Sequence, residues 1–181
     1  MASDQVLDNK VQVLLELRRY ELLGKEEGKE GTFLTVKNRK GKTYLLWALI
    51  SVETIGIRYI NLLSKQVESK GLDGGIIVSN GRYTYSAKSN ARRRGVELIP
   101  PNFPSFNIFK HHLVPKHEIL TSEEKEEVLK KYRVEPYQLP LIRTSDPIAN
   151  VIGARPGDLI RITRESPTAG EYISYRYVVE G

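Results

Sequence analysis

The three histidines are the side chains of this chain best suited to hold a metal ion. His111, His112 and His117 lie close together, and Glu118 follows directly. A pair of these histidines with that carboxylate has the donor types that zinc prefers. Pro115 interrupts the segment, however, so the helical spacing that would aim two histidines at one ion is absent. The simpler interpretation is a group of hydrogen-bonding histidines at the end of a strand.

Other patterns for catalysis or cofactor binding are absent from the sequence. The chain has no cysteine, which excludes thiolate catalysis, cysteine-bound zinc and disulfides. It contains no G-x-S-x-G nucleophile motif, no P-loop and no G-x-G-x-x-G fingerprint. We therefore expect no catalytic site of its own, no metal and no cofactor.

Two clusters of basic residues are better candidates for function. One cluster lies in a polar, glycine-containing connection between two apolar runs, and the other ends a helix-like segment before Gly95. Cations of this kind contact phosphates and add salt-dependent affinity without reading sequence. A solvated surface explains each single residue equally well. The candidates for facing DNA are Lys37, Arg39, Lys40, Lys42, Arg92, Arg93 and Arg94.

The elements that must position these residues follow from apolar periodicity in the front half. The apolar spacing predicts an amphipathic helix over residues 4–24, with Gly24 as its C-cap, and a solvated loop after it. A strand, a hairpin turn and a second strand come next, over residues 32–52. The order helix, strand, helix, strand then extends to residue 101, which indicates a sheet with parallel pairs covered by helices.

The rear half begins after a proline-rich segment at residues 100–105, the best linker in the chain. Residues 106–114 look like a strand. A helix follows, with Thr121 and Glu124 as a capping box. A short helix has Asp146 or Ser145 as its cap, Pro147 at its first position and Gly153 at its end. Two alternating strands close the chain.

Charge is divided unevenly between the two halves. The net charge is +6, and 40% of the residues are hydrophobic. Residues 1–110 contain 18 Lys and Arg against 11 Asp and Glu, whereas residues 111–181 contain 10 against 11. Two modules with different partners would explain this division, although solubility alone could also account for the basic half. No apolar run reaches the roughly 18 residues that a membrane span needs.

The segment from Gly74 to Pro101 resembles the second half of restriction-endonuclease-like domains. It shows a buried strand, then S-N-G-R-Y-T-Y-S-A-K-S-N-A, then another strand. Active members need an upstream aspartate and a D/E-x-K or Q-x-K pattern that holds a divalent metal. Here no aspartate lies between Asp8 and Asp73, and the corresponding strand reads LLWALISVE, with Glu53 as the only acid nearby. This resemblance therefore implies the scaffold without the metal site.

Four ordered motifs in the rear half resemble a family of RNA polymerase subunits that comprises an archaeal assembly subunit and the fifth subunit of the eukaryotic nuclear polymerases. H-x-L-V-P-x-H includes His112, Leu113, Val114, Pro115 and His117, and D-P-I-A-x-x-x-G runs from Asp146 to Gly153. P-G-D-x-I-x-I-x-R runs from Pro156 to Arg164, and S-P-T-A-G begins at Ser166, with Tyr175 and Arg176 beyond it. Residues 54–91 are similar to the N-terminal jaw of the eukaryotic members.

This resemblance implies a fold and a function. We expect an α/β, restriction-endonuclease-like, three-layer jaw at residues 1–104, and a small α+β assembly domain with a mixed sheet of about four strands at residues 105–181. The function would be that of a non-catalytic subunit of DNA-directed RNA polymerase. The rear domain would dock on the largest subunit and contact other subunits, and the jaw would lie beside downstream duplex DNA. The docking candidates are His112, Pro115, His117, Asp146, Pro147, Arg164, Thr168 and Arg176.

Two other functions stay open at this level. One is a metal-dependent nuclease-like DNA-processing protein, and the other is a free-standing DNA-binding factor that shares only the fold. An archaeal polymerase subunit would work in the cytoplasm, and a eukaryotic one in the nucleus. The C-terminal motifs favour the archaeal form.

Overall fold

A computed structural model of the chain describes all residues except 1, 51, 112 and 167–169. The candidates His112 and Thr168 lie outside the described residues. The chain divides into two compact units, which we call unit 1 (Met1–Phe106) and unit 2 (Asn107–Gly181).

Unit 1 is an α/β unit built on a five-stranded mixed sheet of order β1-β2-β3-β5-β7. The first three strands are antiparallel, and β3, β5 and β7 are parallel. A small two-stranded sheet pairs β4 with β6. The elements are α1 (Ala2–Arg18), β1 (Glu21–Gly28), β2 (Gly31–Lys37), β3 (Thr43–Leu49), β4 (Thr54–Ile55), α2 (Ile57–Lys70), β5 (Gly74–Ser79), β6 (Arg82–Tyr83), α3 (Tyr85–Arg93) and β7 (Val96–Leu98).

The central strands of unit 1 are buried on both faces, as a strand covered by helices on two sides must be. In β3, Leu45, Trp47 and Leu49 belong to an apolar cluster that also contains residues of α2 and α3. The alternate residues Tyr44 and Leu46 are buried as well. Because neighbouring residues of a strand point to opposite faces, β3 needs cover on both sides. α1 contacts β3 and β5, which gives the three-layer α/β fold expected from the sequence.

The first helix is shorter than its apolar pattern predicts. It ends at Arg18, and Arg19 has a left-handed backbone with φ of 53°. The segment expected to finish the helix and form a loop is instead the edge strand β1, which pairs with β2 from Glu21 to Gly28. Nearly all of β1 is exposed, so it lacks the alternation that marks a half-buried strand. Its charged side chains are typical of an edge strand protected from further pairing.

Unit 2 is an α+β unit with a mixed four-stranded sheet of order β8-β10-β11-β9. β8, β10 and β11 are antiparallel, and β9 runs parallel to β11. Its elements are a 3-10 turn (Ile108–Lys110), β8 (Lys116–Ile119), α4 (Ser122–Tyr132), a second 3-10 turn (Pro136–Gln138), β9 (Leu141–Arg143), α5 (Pro147–Ile152), β10 (Leu159–Ser166) and β11 (Gly170–Val179).

The two helices of unit 2 pack on opposite faces of its sheet. Ala149 and Ile152 of α5 pack with Ile160, Ile162 and Val178, which the strand register places on one face. Residues of the other face meet α4: the ring of Tyr175 contacts Tyr132, and Arg161 forms an ion pair with Glu124. The expected capping box at the start of α4 is present.

The start of unit 2 differs from the sequence-based expectation. The described residues of the range 106–114 form no strand; a 3-10 turn begins after Asn107, whose side chain accepts a hydrogen bond from the backbone N–H of Phe109. The strand β8 begins only after Pro115, whose missing N–H suits it to precede a strand rather than to lie within one. With four residues in β8 and three in β9, both strands are too short for a periodicity signal.

One glycine of unit 1 tests the close contact between β2 and β3. Gly31 has φ of +145°, and a Cβ there would overlap the backbone carbonyl of Ala48. We expect Gly31→Ala to lower the free energy of unfolding by roughly 3 kcal/mol or more. Gly24→Ala is the control, because a Cβ at Gly24 meets nothing within 4 Å, and it should change stability by about 0.5 kcal/mol or less. Urea unfolding of both variants measures the difference in the free energy of unfolding. Equal losses in the two variants would contradict the close contact between β2 and β3 at Gly31.

Candidate partner-binding groove and basic surfaces

Unit 2 contains a groove that brings together five of the docking candidates from the sequence. We call it the arginine groove; its volume is about 500 Å³. The five candidates in its lining are Pro115, His117, Asp146, Arg164 and Arg176. The lining is completed by Leu141, Ile142, Arg143, Ile148 and Ile162.

The register of the sheet in unit 2 explains why these residues meet. His117 of β8 lies opposite Ile162 of β10, and Arg176 of β11 lies opposite Ile160. Residues that lie opposite each other in antiparallel strands share a face of the sheet. Alternate residues along one strand also share a face. His117, Ile162, Arg164 and Arg176 therefore share the face that α5 covers in part. The groove is the continuation of that face beyond the helix.

His117 is held in one orientation by its neighbour in the chain. Its Nδ1 lies 2.7 Å from the carbonyl oxygen of Pro115. Because a carbonyl only accepts, Nδ1 carries the hydrogen, and Nε2 is the acceptor of the neutral ring. Partial burial is the largest cause that lowers the pKa of His117. The positive charges of Arg164 and Arg176 lower this pKa further, whereas the hydrogen bond to the Pro115 carbonyl and the charge of Asp146 raise it. The ring is thus favoured in its neutral form.

Asp146 and Pro147 shape the wall of the groove by fixing α5. One carboxylate oxygen of Asp146 accepts hydrogen bonds from the backbone N–H groups of Ile148 at 2.9 Å and Ala149 at 3.3 Å. Pro147 occupies the first turn, and Gly153 ends the helix in a left-handed conformation. The carboxylate of Asp146 is therefore used as a helix cap, and Pro147, although exposed, does not line the groove.

Three arginines surround the groove, and sequence reasoning singled out only two of them. Arg176 donates from Nη1 to the carbonyl oxygen of Leu141 at 3.2 Å, which links β11 to the start of β9. Arg143 was missed because it ends a strand of three residues that the sequence did not reveal. For Arg164, the sequence did contain a signal: it lies two residues after Ile162, and alternate residues of one strand share a face.

In unit 1, the strand that would hold the metal of an active nuclease is apolar and tightly packed. Trp47 stacks on Phe33 with ring centroids 4.7 Å apart and lies 5.6 Å from the ring of Tyr59. Leu45 and Leu49 are buried beside it. Glu53 is exposed and lies outside the strand. Among the described residues, no group of three or more His, Asp or Glu could hold a metal ion.

The basic candidates in unit 1 converge at one end of the main sheet. β3 and β7 both run parallel to β5, with Tyr44 opposite Gly74 and Gly75 opposite Val96. Parallel strands begin at the same end of a sheet, so the hairpin before β3 and the end of α3 before β7 lie at one end. The candidates are largely exposed. We call the six at this end the basic end: Lys37, Arg39, Lys40, Lys42, Arg93 and Arg94.

The seventh candidate, Arg92, lies in a separate groove of about 630 Å³ beside β7. Arg82 and Lys88 also line that groove, with Val96 and Leu98 among its apolar residues. Sequence reasoning missed Arg82 and Lys88. Lys88 and Arg92 are four residues apart on α3, which places them on the same side of the helix.

Family models match both parts of the chain. Residues 106–178 match the model described as RNA polymerase Rpb5, C-terminal domain, and residues 10–102 match the model described as Restriction endonuclease. The structure titled EndoMS in apo form aligns with 50% of this chain and 44% of its own, at 16% identity and a TM-score of 0.40. In the described residues no helix is long and apolar enough to span a membrane.

Curated relatives agree with the match in unit 2. DNA-directed RNA polymerase subunit Rpo5 of Pyrococcus abyssi is 61% identical over 75 residues, which are 41% of this chain and 92% of that protein. The Thermococcus kodakarensis protein of the same name is 63% identical over the same length. Subunit RPABC1 of RNA polymerases I, II and III from Caenorhabditis briggsae is 38% identical over 129 residues, 69% of this chain and 61% of that protein.

The last match covers more of the chain than unit 2 can supply, so it includes part of unit 1. The chain belongs to the RNA polymerase fifth-subunit family, and its front part belongs to the restriction-endonuclease domain family.

The lowered pKa of His117 predicts a pH dependence of stability. The unfolded state takes up the proton at about pH 6.5, and the folded state only at a lower pH. The stability that the neutral His117 ring contributes is therefore fully present above the unfolded-state pKa. This contribution is lost as the pH falls from the unfolded-state pKa to the folded-state pKa. We expect His117→Asn to lose less stability than the wild type between about pH 8 and pH 5.

Denaturant unfolding at several pH values provides this measurement, and His111→Asn is the matched control at an exposed histidine. If the wild type and His117→Asn lost the same stability over this pH interval, the burial of a neutral ring would be contradicted.

Proposed function

We propose that this chain is a non-catalytic subunit of DNA-directed RNA polymerase whose unit 2 docks on the largest subunit during assembly. The arginine groove supports this proposal, because it gathers five motif residues within the region that is 61% and 63% identical to two Rpo5 proteins. A groove with an apolar floor and a charged rim is the kind of surface that specific partners use.

Rigid elements position the groove. The floor comes from strands, and the wall comes from a helix capped at both ends. A preorganised surface loses little conformational entropy when a partner binds. Docking by this unit therefore needs no rearrangement of its backbone.

The test is recovery of polymerase by the tagged full chain from its native cell extract at moderate salt, with mass spectrometry of the bound proteins. We expect the large polymerase subunits to be recovered. Removal of residues 111–181 should abolish recovery, and removal of residues 1–104 should not. Circular dichroism of each shortened chain checks that it is folded. Absence of polymerase subunits with the full chain would reject the proposal.

We further propose that unit 1 holds downstream duplex DNA through the basic end without reading its sequence. The support is the clustering of six cations at one end of the sheet. Each exposed contact to a phosphate contributes about 1 kcal/mol or less at physiological salt, so the affinity depends on their number. Release of counterions from the duplex then makes binding strongly dependent on salt.

Removal of three cations from the hairpin should lower the salt dependence of DNA binding. For Arg39→Ala, Lys40→Ala and Lys42→Ala combined, we expect the slope of log K against log salt to decrease by roughly 2 to 3. Fluorescence anisotropy with a labelled duplex measures it. The control replaces three exposed cations of unit 2 by alanine: Lys130, Lys131 and Arg155. Equal slopes for the two triple variants would contradict DNA binding at the basic end.

A nuclease is the second candidate, because residues 10–102 match the restriction-endonuclease model. The buried Trp47 and Leu49 argue against it, since neither side chain can bind a metal or activate water. Incubation of the same samples with plasmid and magnesium or manganese separates the two functions. Cleavage that is lost in Glu53→Ala would establish the nuclease, and DNA binding without recovery of polymerase would indicate a free-standing DNA-binding factor.

A further inference from the structure

The arginine groove has an excess of positive charge that the described residues do not neutralise. Arg143, Arg164 and Arg176 line it, and Asp146 is the one carboxylate among its described lining residues. That carboxylate already accepts two backbone hydrogen bonds at the start of α5. Within the described part of the chain, neither Arg143 nor Arg164 has an ion-pair partner.

The spacing of two of these arginines is fixed by the sheet. Arg176 lies opposite Ile160, and Arg164 lies four residues beyond Ile160 on the same strand and the same face. At about 3.3 Å per residue, the two positions are about 13 Å apart along the strand. Ile162 lies between them at the base of the groove, where it is buried against α5.

These dimensions match an extended peptide that contacts the groove through residues four apart. In an extended segment, residues i and i+4 point to the same side and are also about 13 Å apart. In a helix, residues four apart are separated by only about 6 Å along the axis, so a helix would need contacting residues about seven or eight apart. Two acidic side chains four residues apart in an extended segment can therefore meet Arg164 and Arg176.

We propose that the arginine groove binds an extended acidic segment of the polymerase subunit on which unit 2 docks, with carboxylates at positions i and i+4. This inference rests on the proposed docking function and adds the chemistry of the partner. Arginine suits the role, because its planar guanidinium pairs with a carboxylate through two parallel hydrogen bonds.

The other face of the same sheet does not share this character. A larger depression of about 930 Å³, which Pro115 and Arg164 also line, contains both signs of charge, with Glu118, Glu165 and Glu171 among its residues. Arg161 of that face is paired with Glu118 and Glu124. Of these two depressions in unit 2, the arginine groove is thus the one with an excess of cations.

A nucleic acid fits the groove less well than an acidic peptide does. Residues 111–181 contain 10 basic and 11 acidic residues, so a long polyanion gains no general attraction from this unit. A short segment interacts only with the local charges. The half-buried Ile142 and Ile148 of the lining also suit an aliphatic side chain better than a phosphate backbone.

Charge reversal in the full chain tests the proposal. Polymerase lacking this subunit is reconstituted with the wild type, Arg164→Glu, Arg176→Glu or the double variant, and the fraction assembled is measured across subunit concentrations. We expect each single reversal to weaken incorporation by roughly tenfold or more. Arg39→Glu in unit 1 is the matched control and should assemble like the wild type. Thermal unfolding verifies that each variant is folded.

Cross-linking identifies the partner segment directly. Ser174 lies opposite Ile162 and between Arg176 and the partner position of Arg164 on the same face of the sheet, so a photo-reactive amino acid at that position lies beside the groove. Mass spectrometry of the cross-linked peptide should return a segment with two acidic residues four positions apart. A neutral or basic segment would overturn the proposal.

The two proposals fail in different ways. If the wild-type chain does not join the polymerase at all, the docking function and this inference are both rejected. If the wild type joins and the Arg164 and Arg176 reversals join equally well, docking stands and the acidic segment is rejected.

Discussion

The register of β10 between β8 and β11 is the constraint on which unit 2 depends. A shift by one residue would turn Ile160 and Ile162 away from α5 and place Arg161 and Thr163 under it. Burial of the isoleucines therefore fixes the register, and the register then places Arg164, Arg176 and His117 on one face. The packing that stabilises the unit is thus also what assembles its groove.

In unit 1, one apolar strand determines both stability and the kind of function that is possible. β3 is buried along its length, and its aromatic contacts link it to Phe33 and Tyr59. A nuclease needs charged side chains in such a strand to hold a metal, and their burial has a large energetic cost unless the metal compensates it. The apolar side chains of Trp47 and its neighbours avoid that cost, and β3 stays buried in the fold without charged side chains. The basic candidates of unit 1, in contrast, are exposed on its surface.

The parts of the fold that could be predicted from sequence have a local physical signal. The cap Thr121 and the hairpin before β3 were predicted correctly, and Asp146 was one of the two caps predicted for α5, because caps and turns act within a few residues. The edge strand β1 was not, since most of its side chains are exposed and its pairing with β2 decides its structure. The short strands β8 and β9 were missed for a related reason: their partners are distant in sequence.

The same distinction applies to the groove. The motifs supplied Pro115, His117, Asp146, Arg164 and Arg176 as separate residues, but only strand pairing shows that they face one space. Net charge was a poor guide here, because a unit with a nearly neutral sum contains a strongly basic groove. A nearly neutral sum weakens the long-range attraction of unit 2 for a polyanion, while the three arginines of the groove still create a local positive potential. The basic end belongs to unit 1 and the arginine groove to unit 2, so under the functions we propose each surface would serve a different partner.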